Sequence, residues 1–270
     1  MRRQPVTRFV SRMHTQFRKK LGLGHSLREL EPSLAAEELV FRAPPLGAEL
    51  VETIRMISPQ FHLEAGDDAS RRFWELNQNG LCWGEFRALE PFCRNFEPAN
   101  VLDIGPGLGR STVFFKKHLG WNEVPFHLYE GSGTSTKYTK AGPRFDDSFC
   151  GNIEVLESIL AFNEITEYRV FDAHAMGASL AELPGPYDLI YSFFAVGFHW
   201  SIGHFLDELR ALMSDRALGF FTLHDRFEDF SELDGTPYRV VDFLGSWPRG
   251  RWSRIAVISK SEEILAAAMP

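Results

Sequence analysis

Three glycines at alternate positions are the residues of this sequence whose spacing most clearly suggests chemistry. Gly105, Gly107 and Gly109 follow the apolar run 101–104 and precede a segment with the spacing of an amphipathic helix. Glycine is needed where the backbone takes a positive φ or passes close to a ligand with no Cβ between them. A buried strand, a glycine turn and a helix N-terminus together predict a notch of nucleotide size at the carboxyl edge of a parallel sheet.

The spacing of these glycines excludes two common nucleotide-binding motifs. A dinucleotide fingerprint would place its third glycine at position 110, where this chain has Arg110. A phosphate-binding P-loop would end in Gly-Lys-Ser or Gly-Lys-Thr, and the sequence contains no such run. The pattern that remains is Asp-x-Gly-x-Gly-x-Gly, which begins at Asp103.

This pattern resembles the first motif of the class I S-adenosylmethionine-dependent methyltransferases. The resemblance extends over about residues 100–260, because acids follow the next two predicted strands at the expected places. The second strand ends at Glu130, and a carboxylate there can accept hydrogen bonds from both ribose hydroxyls of an adenosine. The resemblance assigns that role to Glu130. The alternative is a surface acid before the loop 131–133.

The third predicted strand ends at Asp172, followed by Ala173. In the family an acid here commonly meets the adenine amino group, and the next backbone amide reads the ring edge. Asp172 has an alternative role as the cap of a short following helix. The resemblance thus implies S-adenosylmethionine as cofactor and a set of cofactor-binding residues, namely Asp103, Gly105, Gly107, Gly109, Glu130, Asp172 and Ala173.

A histidine after the fourth predicted strand is the first candidate for proton transfer. Methylation of an alcohol needs a general base or a metal near the acceptor oxygen. His199 is flanked by Phe198 and Trp200, and an imidazole with a pKa near 6.5 suits proton removal at neutral pH. The aromatic neighbours suit stacking on a sugar or a ring. The alternative is a core histidine bonded to a backbone carbonyl.

The pair His224 and Asp225, at the end of the fifth predicted strand, is the second candidate. Some O-methyltransferases hold magnesium between carboxylates at the ends of the fourth and fifth strands. Asp225 occupies one such place, but the fourth strand ends in residues 192–194, which contain no carboxylate. We therefore predict no metal site, with Asp225 as the ligand if magnesium binds. The alternative role for Asp225 is to orient His224 or His199.

These residues require a sheet that brings several strand ends together. The alternation of strand-like and helix-like segments predicts an α/β fold with an N-terminal helical extension. The resemblance implies that this fold is doubly wound and Rossmann-like, with seven mostly parallel strands and a C-terminal antiparallel hairpin. The predicted strands are 101–104, 125–129, 168–171, 187–194 and 217–223, with 238–244 and 254–259 as the hairpin, and the crossover helices are 111–119, 153–162 and 205–213.

Upstream of the sheet we predict a basic amphipathic arm at 1–24 and a helical cap at 25–95, before a methyltransferase domain at 96–270. Residues 1–20 contain seven Arg and Lys and no acid, with apolar residues at helical spacing. Such a helix lies on an anionic membrane surface, docks a partner or packs on its own domain. Within the cap we predict helices at 33–41 and 46–57, a third whose N-terminal cap lies in the stretch 67–70, and another that ends near residue 92.

The composition narrows the function classes. A net charge of −7 argues against a general nucleic-acid binder, and no apolar run reaches the roughly 18 residues that span a membrane. The three cysteines, Cys82, Cys93 and Cys150, show no C-x-x-C spacing, which indicates reduced thiols and no zinc site. We expect a cytoplasmic protein, peripheral to the inner face of the membrane if the arm binds lipid.

The stretch 187–200, the basic arm and the hairpin together resemble bacterial sugar O-methyltransferases of polysaccharide or glycoconjugate assembly. The leading expectation is therefore methylation of a sugar hydroxyl. One alternative is a small-molecule methyltransferase of secondary metabolism that acts on a phenol, amine or carboxylate. Another is a catalytically inactive, methyltransferase-like scaffold. A carbohydrate or small-molecule acceptor is expected as the partner, no nucleic acid is expected, and a homodimer is left open.

Overall fold

A computed structural model describes residues 39–57, 63–131, 151–177, 179–197, 200–223, 231–242 and 254–268. In chain order its helices are α1 (Ala48–Ile57), α2 (Asp68–Cys93), α3 (Arg110–His118), α4 (Ile153–Phe162), α5 (Ile202–Leu212) and α6 (Glu262–Ala268), with a 3-10 turn at Ser231–Leu233. The strands are β1 (Val101–Ile104), β2 (Phe126–Glu130), β3 (Tyr168–Asp172), β4 (Tyr187–Ser192), β5 (Met213–Leu223), β6 (Tyr238–Asp242) and β7 (Arg254–Ser259).

The strands form one sheet of seven, in the order β3-β2-β1-β4-β5-β7-β6. The first five are parallel to one another, whereas β7 is antiparallel to both β5 and β6. This confirms the predicted fold class, including the C-terminal hairpin. The order reverses between β1 and β4, and a crevice at such a switch point is where open α/β sheets bind ligands.

Both faces of the sheet are covered, as parallel strands require. Alternate residues of β1 belong to different cores: Val101 packs with α2, α3, α4 and α6, while Leu102 packs with α5. Every residue of β1 and β4 is buried. These two strands therefore present no side chain to solvent.

The N-terminal helices share the core of the α3 face. Phe41 and Trp74 lie edge to face with centroids 5.5 Å apart, and both belong to the same buried cluster as Val101. The division into arm, cap and methyltransferase domain remains a prediction, since residues 1–38 lie outside the described residues. None of the helices in the described ranges is long and apolar enough to cross a membrane.

Several predicted boundaries are corrected by the structure. Residues 39–41 are not helical, because the Asn79 side chain accepts from the Phe41 amide at 3.0 Å and donates to its carbonyl at 2.8 Å. The cap of α2 is Asp67, within the predicted stretch, but the two expected helices are one helix of 26 residues. Pro91 lies within the last turn of α2, where a proline disturbs fewer backbone hydrogen bonds than in the middle of a helix.

The fourth strand ends at Ser192 rather than at residue 194. The reason is local: Phe194 takes a φ of 72°, which an extended strand cannot include. Helix α5 begins at Ile202, three residues earlier than predicted, and β5 follows it directly from Met213. The glycine-turn region, by contrast, has the bounds that the spacing predicts to within one residue.

Candidate active site

The three glycines after β1 all lie in the left-handed region of φ. Their φ values are 69° for Gly105, 58° for Gly107 and 72° for Gly109. The Gly105 amide donates to the Tyr129 carbonyl at 2.9 Å, and Gly109 is the N-cap of α3. The residue type at these positions is therefore dictated by the backbone.

The space in front of each glycine differs. A Cβ on Gly105 would lie 2.4 Å from the Ala195 Cβ, and one on Gly109 would lie 2.8 Å from the Leu156 Cδ1. A Cβ on Gly107 would meet nothing within 4 Å. The first and third glycines thus allow close packing within the protein, while the second leaves room that a ligand can occupy.

Glu130 faces this open position. Its Oε2 accepts from the Gly107 amide at 2.7 Å and its Oε1 accepts from the Gly131 amide at 3.0 Å. A carboxylate offers about four acceptor positions, so each oxygen retains capacity for one more donor. Burial raises the pKa of Glu130 to about 7; the two amides oppose this shift, and the nearby negative charge of Asp103 adds to it.

Asp103 lies behind the turn. Its Oδ2 accepts from the Thr112 hydroxyl and from the Tyr191 hydroxyl, each at 2.7 Å. Burial raises the pKa of Asp103 to about 7, against the effect of those two hydrogen bonds. The residue therefore joins β1 to α3 and β4, an arrangement that the sequence did not reveal. Its predicted contact with a cofactor stays a prediction.

Asp172 and Ala173 lie beside Glu130, as their place in the sequence predicts. Asp172 pairs with Glu130 in the register of β2 and β3, and its Oδ1 accepts from the His174 amide at 2.9 Å. The Ala173 amide donates to the Glu130 carbonyl at 2.9 Å. If the Ala173 amide also binds adenine, it has to donate to both the Glu130 carbonyl and the adenine ring. The roles of Asp172 and Ala173 in adenine recognition stay predictions.

The loop after β4 is attached to the glycine turn. The Ser192 hydroxyl donates to the Ile104 carbonyl at 2.7 Å and accepts from the Val196 amide at 2.8 Å. Ala195 fills the space that the absent Cβ of Gly105 leaves. The strand that ends at residue 192 and the turn that begins at residue 105 therefore form one continuous surface.

The same loop also contacts the end of β5. Gly197 has a φ of 87°, and a Cβ there would lie 2.7 Å from the Thr222 carbonyl oxygen. The Gly197 amide donates to the Trp200 carbonyl at 2.7 Å. The chain thus leaves β5 close to the point at which the loop after β4 turns.

The predicted catalytic residues His199, His224 and Asp225 lie outside the described residues. In the sequence His199 lies between Gly197 and Trp200, and His224 and Asp225 follow Leu223. The described residues that precede these candidates, Gly197 and Thr222, are in contact with each other. The roles of the three candidates stay predictions. Among the described residues, no group of three or more His, Cys, Asp or Glu is arranged to hold a metal ion.

A buried ion pair beside the turn was missed by the sequence reasoning. Arg110 donates to both carboxylate oxygens of Glu85 at 2.7 Å, and its guanidinium carbon lies 5.4 Å from the centroid of the Phe194 ring. Burial opposes the charged guanidinium, but the Glu85 carboxylate outweighs it and raises the pKa of Arg110. The pair links α2, α3 and the loop after β4. Arg110 and Glu85 are 25 residues apart in the sequence, so no local sequence pattern predicts that they pair.

No protein-family model and no curated protein matches this chain. Among solved structures it is similar to an S-adenosylmethionine-dependent methyltransferase from Aquifex aeolicus, with 14% identity, 70% of this chain and 97% of that chain covered and a TM-score of 0.46. It is also similar to the Podospora anserina methyltransferase PaMTH1 bound to S-adenosylhomocysteine, with 13% identity, coverage of 82% and 99% and a TM-score of 0.42.

A third similar structure is the spermidine synthase of Thermotoga maritima, with 14% identity, 70% of this chain and 63% of that chain covered and a TM-score of 0.48. Similarity of this degree does not establish a shared activity. The function of this chain has to be argued from its own residues.

Proposed function

We propose that this chain is an S-adenosylmethionine-dependent methyltransferase. The observation that carries the proposal is the 2.7 Å contact between the Gly107 amide and the Glu130 carboxylate, at the end of neighbouring strands. The open space at Gly107 and the remaining acceptor capacity of Glu130 suit a nucleoside with two vicinal ribose hydroxyls. The position beside the switch point of the sheet favours such a ligand.

In this proposal different residues bind different parts of the cofactor. Glu130 accepts hydrogen bonds from the ribose hydroxyls, the glycine turn lets the backbone approach the ligand closely, and Asp172 accepts a hydrogen bond from the adenine amino group. Bound S-adenosylmethionine supplies a methyl group that is already activated on a sulfonium. The chain therefore has to align an acceptor, exclude water and, for an alcohol, remove a proton.

For the acceptor we propose an oxygen of a carbohydrate. The resemblance of residues 187–200 supports it, as does the place of His199 between two aromatic residues. His199 is proposed as the base, and His224 with Asp225 as the second candidate or as an orienting pair. A phenol, amine or carboxylate of a small molecule is the alternative acceptor. Magnesium is not required by this proposal.

The cellular setting is part of the proposal. We expect a cytoplasmic protein whose basic arm, residues 1–24, packs on its own domain or contacts an anionic membrane surface or a partner, and the homodimer is left open. Deletion of residues 1–22 should abolish co-sedimentation with vesicles that contain phosphatidylserine. Equal sedimentation of both forms would contradict membrane contact.

Calorimetric titration with S-adenosylhomocysteine, with and without magnesium, tests the proposed cofactor. Binding in the micromolar range would support the methyltransferase and justify an assay of methyl transfer to polysaccharides and to small phenols. A magnesium requirement would assign Asp225 as a metal ligand. Absence of binding in both conditions would contradict the proposal and favour the inactive scaffold.

A further inference from the structure

Gly151, which lies just before α4, makes an unusually close approach to Glu130. A Cβ built on Gly151 would lie 2.6 Å from the Glu130 Oε1, 2.7 Å from its Cδ and 2.8 Å from its Cγ. Side-chain Cβ atoms essentially never approach a heavy atom closer than 3.0 Å. The Gly151 backbone therefore packs directly against the carboxylate.

The backbone at residue 151 does not itself require glycine. Gly105, Gly107 and Gly109 all take a positive φ, but Gly151 does not. An alanine at 151 would thus meet no conformational penalty of the kind found in the glycine turn. The steric reason that the described residues supply for glycine here is the space taken by the Glu130 side chain.

Gly151 is held in place from both sides. Its amide donates to the Gly131 carbonyl at 3.1 Å, and the next residue, Asn152, caps α4 by accepting from the Val155 amide at 3.1 Å. Helix α4 in turn packs Leu156 against Gly109. Because α4 is fixed on the glycine turn, Gly151 has little freedom to move away from Glu130.

We propose that Gly151 is a positioning residue that holds the Glu130 carboxylate in the orientation that binds the vicinal hydroxyls of the donor ribose. The inference rests on the proposed function. The Gly107 amide donates to Oε2 and the Gly131 amide donates to Oε1, while the Gly151 backbone packs against the carboxylate and leaves each oxygen able to accept from a ribose hydroxyl. A methyl group at 151 displaces the carboxylate, which then loses at least one amide and its alignment with the ribose.

The test compares Gly151→Ala, Glu130→Ala and the double variant with the wild type. Each is titrated with S-adenosylhomocysteine and with its 2′-deoxy analogue. Gly151→Ala should weaken binding of S-adenosylhomocysteine about tenfold, the effect of one hydrogen bond to a charged group, and should weaken the deoxy analogue less. The double variant should bind like Glu130→Ala, because the methyl group added at position 151 then has room.

Gly47→Ala is the matched control. Gly47 also lacks a positive φ, and a Cβ there meets nothing within 4 Å. Its substitution should leave both affinities unchanged. An equal loss for the two ligands in Gly151→Ala, or a further loss in the double variant beyond Glu130→Ala, would overturn the proposal.

Thermal unfolding of the ligand-free variants tests the contact without any ligand. Gly151→Ala should lower the unfolding temperature in the presence of Glu130 but not in the Glu130→Ala background. If Gly151→Ala alone does not fold, recovery of folding in the double variant supports the contact, and failure of both overturns it. If the unfolding temperatures are coupled but Glu130→Ala binds S-adenosylhomocysteine normally, the contact stands and the ribose role of Glu130, and with it this proposal, fails.

Discussion

The two halves of the carboxyl edge of the sheet are built differently. At the ends of β1, β2 and β3, short hydrogen bonds between neighbouring segments determine the geometry, such as the Gly107 amide on Glu130 at 2.7 Å. At the ends of β4 and β5, the chain turns through Phe194 and Gly197, both at positive φ, and contacts distant elements. The residue types of the proposed donor half thus reflect features of single positions, such as a positive φ or a strand end, whereas the proposed acceptor half also depends on packing between distant elements.

The difference suggests how the two functions are separated. The donor half presents a rigid carboxylate and an open glycine, which suits one constant ligand. The acceptor half joins α2, α3 and the loop after β4 through Arg110, Glu85 and Phe194.

Substitution of the proposed base should give the largest effect. His199→Ala should lower turnover by about 10²–10⁴-fold, the usual contribution of a general base, with unchanged affinity for S-adenosylhomocysteine. Methyl-transfer kinetics and calorimetry on the same preparation measure the two quantities. His204→Ala, an exposed histidine on α5, is the control and should retain activity. Normal turnover in His199→Ala would move the role to His224 or Asp225.

Removal of one partner of the buried ion pair should be the next largest effect. Arg110→Met leaves the Glu85 carboxylate buried and unpaired, so the free energy of unfolding should fall by about 3–5 kcal/mol. Replacement of both partners by methionine should cost less. Arg94→Met is the control, because its pair with Glu90 is exposed and worth at most about 1 kcal/mol. Equal losses in urea denaturation for Arg110→Met and Arg94→Met would contradict this.

Two alanine substitutions in the glycine turn distinguish the glycine that packs within the protein from the glycine that leaves room for a ligand. Gly105→Ala and Gly107→Ala both incur the cost of a left-handed φ, about 1–2 kcal/mol. Gly105→Ala should cost about 1–3 kcal/mol more through overpacking against Ala195, and Ala195→Gly should recover that part. Gly107→Ala should mainly weaken binding of S-adenosylhomocysteine. Equal stability of the two variants in urea would show that the turn is not packed as described.

The smallest effect is a pH dependence with opposite signs for stability and binding. The pKa values of Glu130 and Asp103, both about 7, are raised by burial, so their contribution to stability is full below their ordinary values near 4 and is lost as the pH rises through 7. The unfolding temperature of the ligand-free protein should therefore fall between pH 5 and pH 8.

Affinity for S-adenosylhomocysteine should rise over the same range. The ribose hydroxyls donate to the ionised form of Glu130, so binding should weaken by up to about tenfold for each pH unit below 7. Calorimetry in buffers of different ionisation enthalpy measures the proton released. Glu130→Gln should flatten both profiles in part. Affinity that falls as the pH rises would contradict the assignment.

The glycine turn after β1 and the position of Glu130 at the end of β2 could be predicted from the sequence. Glycine at a positive φ and an acid at a strand end are features of single positions, and Gly105 and Glu130 are found where spacing placed them. The cap of α2, Asp67, lies in the predicted stretch 67–70. Seven mostly parallel strands with a C-terminal antiparallel hairpin were likewise expected, whereas the order of the strands was not predicted.

The rest depends on partners far apart in the chain. Residues 39–41 are not helical because Asn79 binds the backbone of Val40 and Phe41, and no local pattern indicates that contact. The pairing of Arg110 with Glu85 and of Asp103 with Tyr191 likewise joins residues 25 and 88 positions apart. The proposed acceptor-side residues His199, His224 and Asp225 lie outside the described residues, so their roles remain predictions.

Comparative calorimetry of the wild type and Glu130→Ala with S-adenosylhomocysteine tests the central claim most directly. Micromolar binding by the wild type and a loss of about tenfold to a hundredfold in the variant are expected, because hydrogen bonds to a charged carboxylate are removed. The variant should remain folded, as circular dichroism can verify. Equal affinity in the two proteins, or no binding by the wild type, would contradict the account.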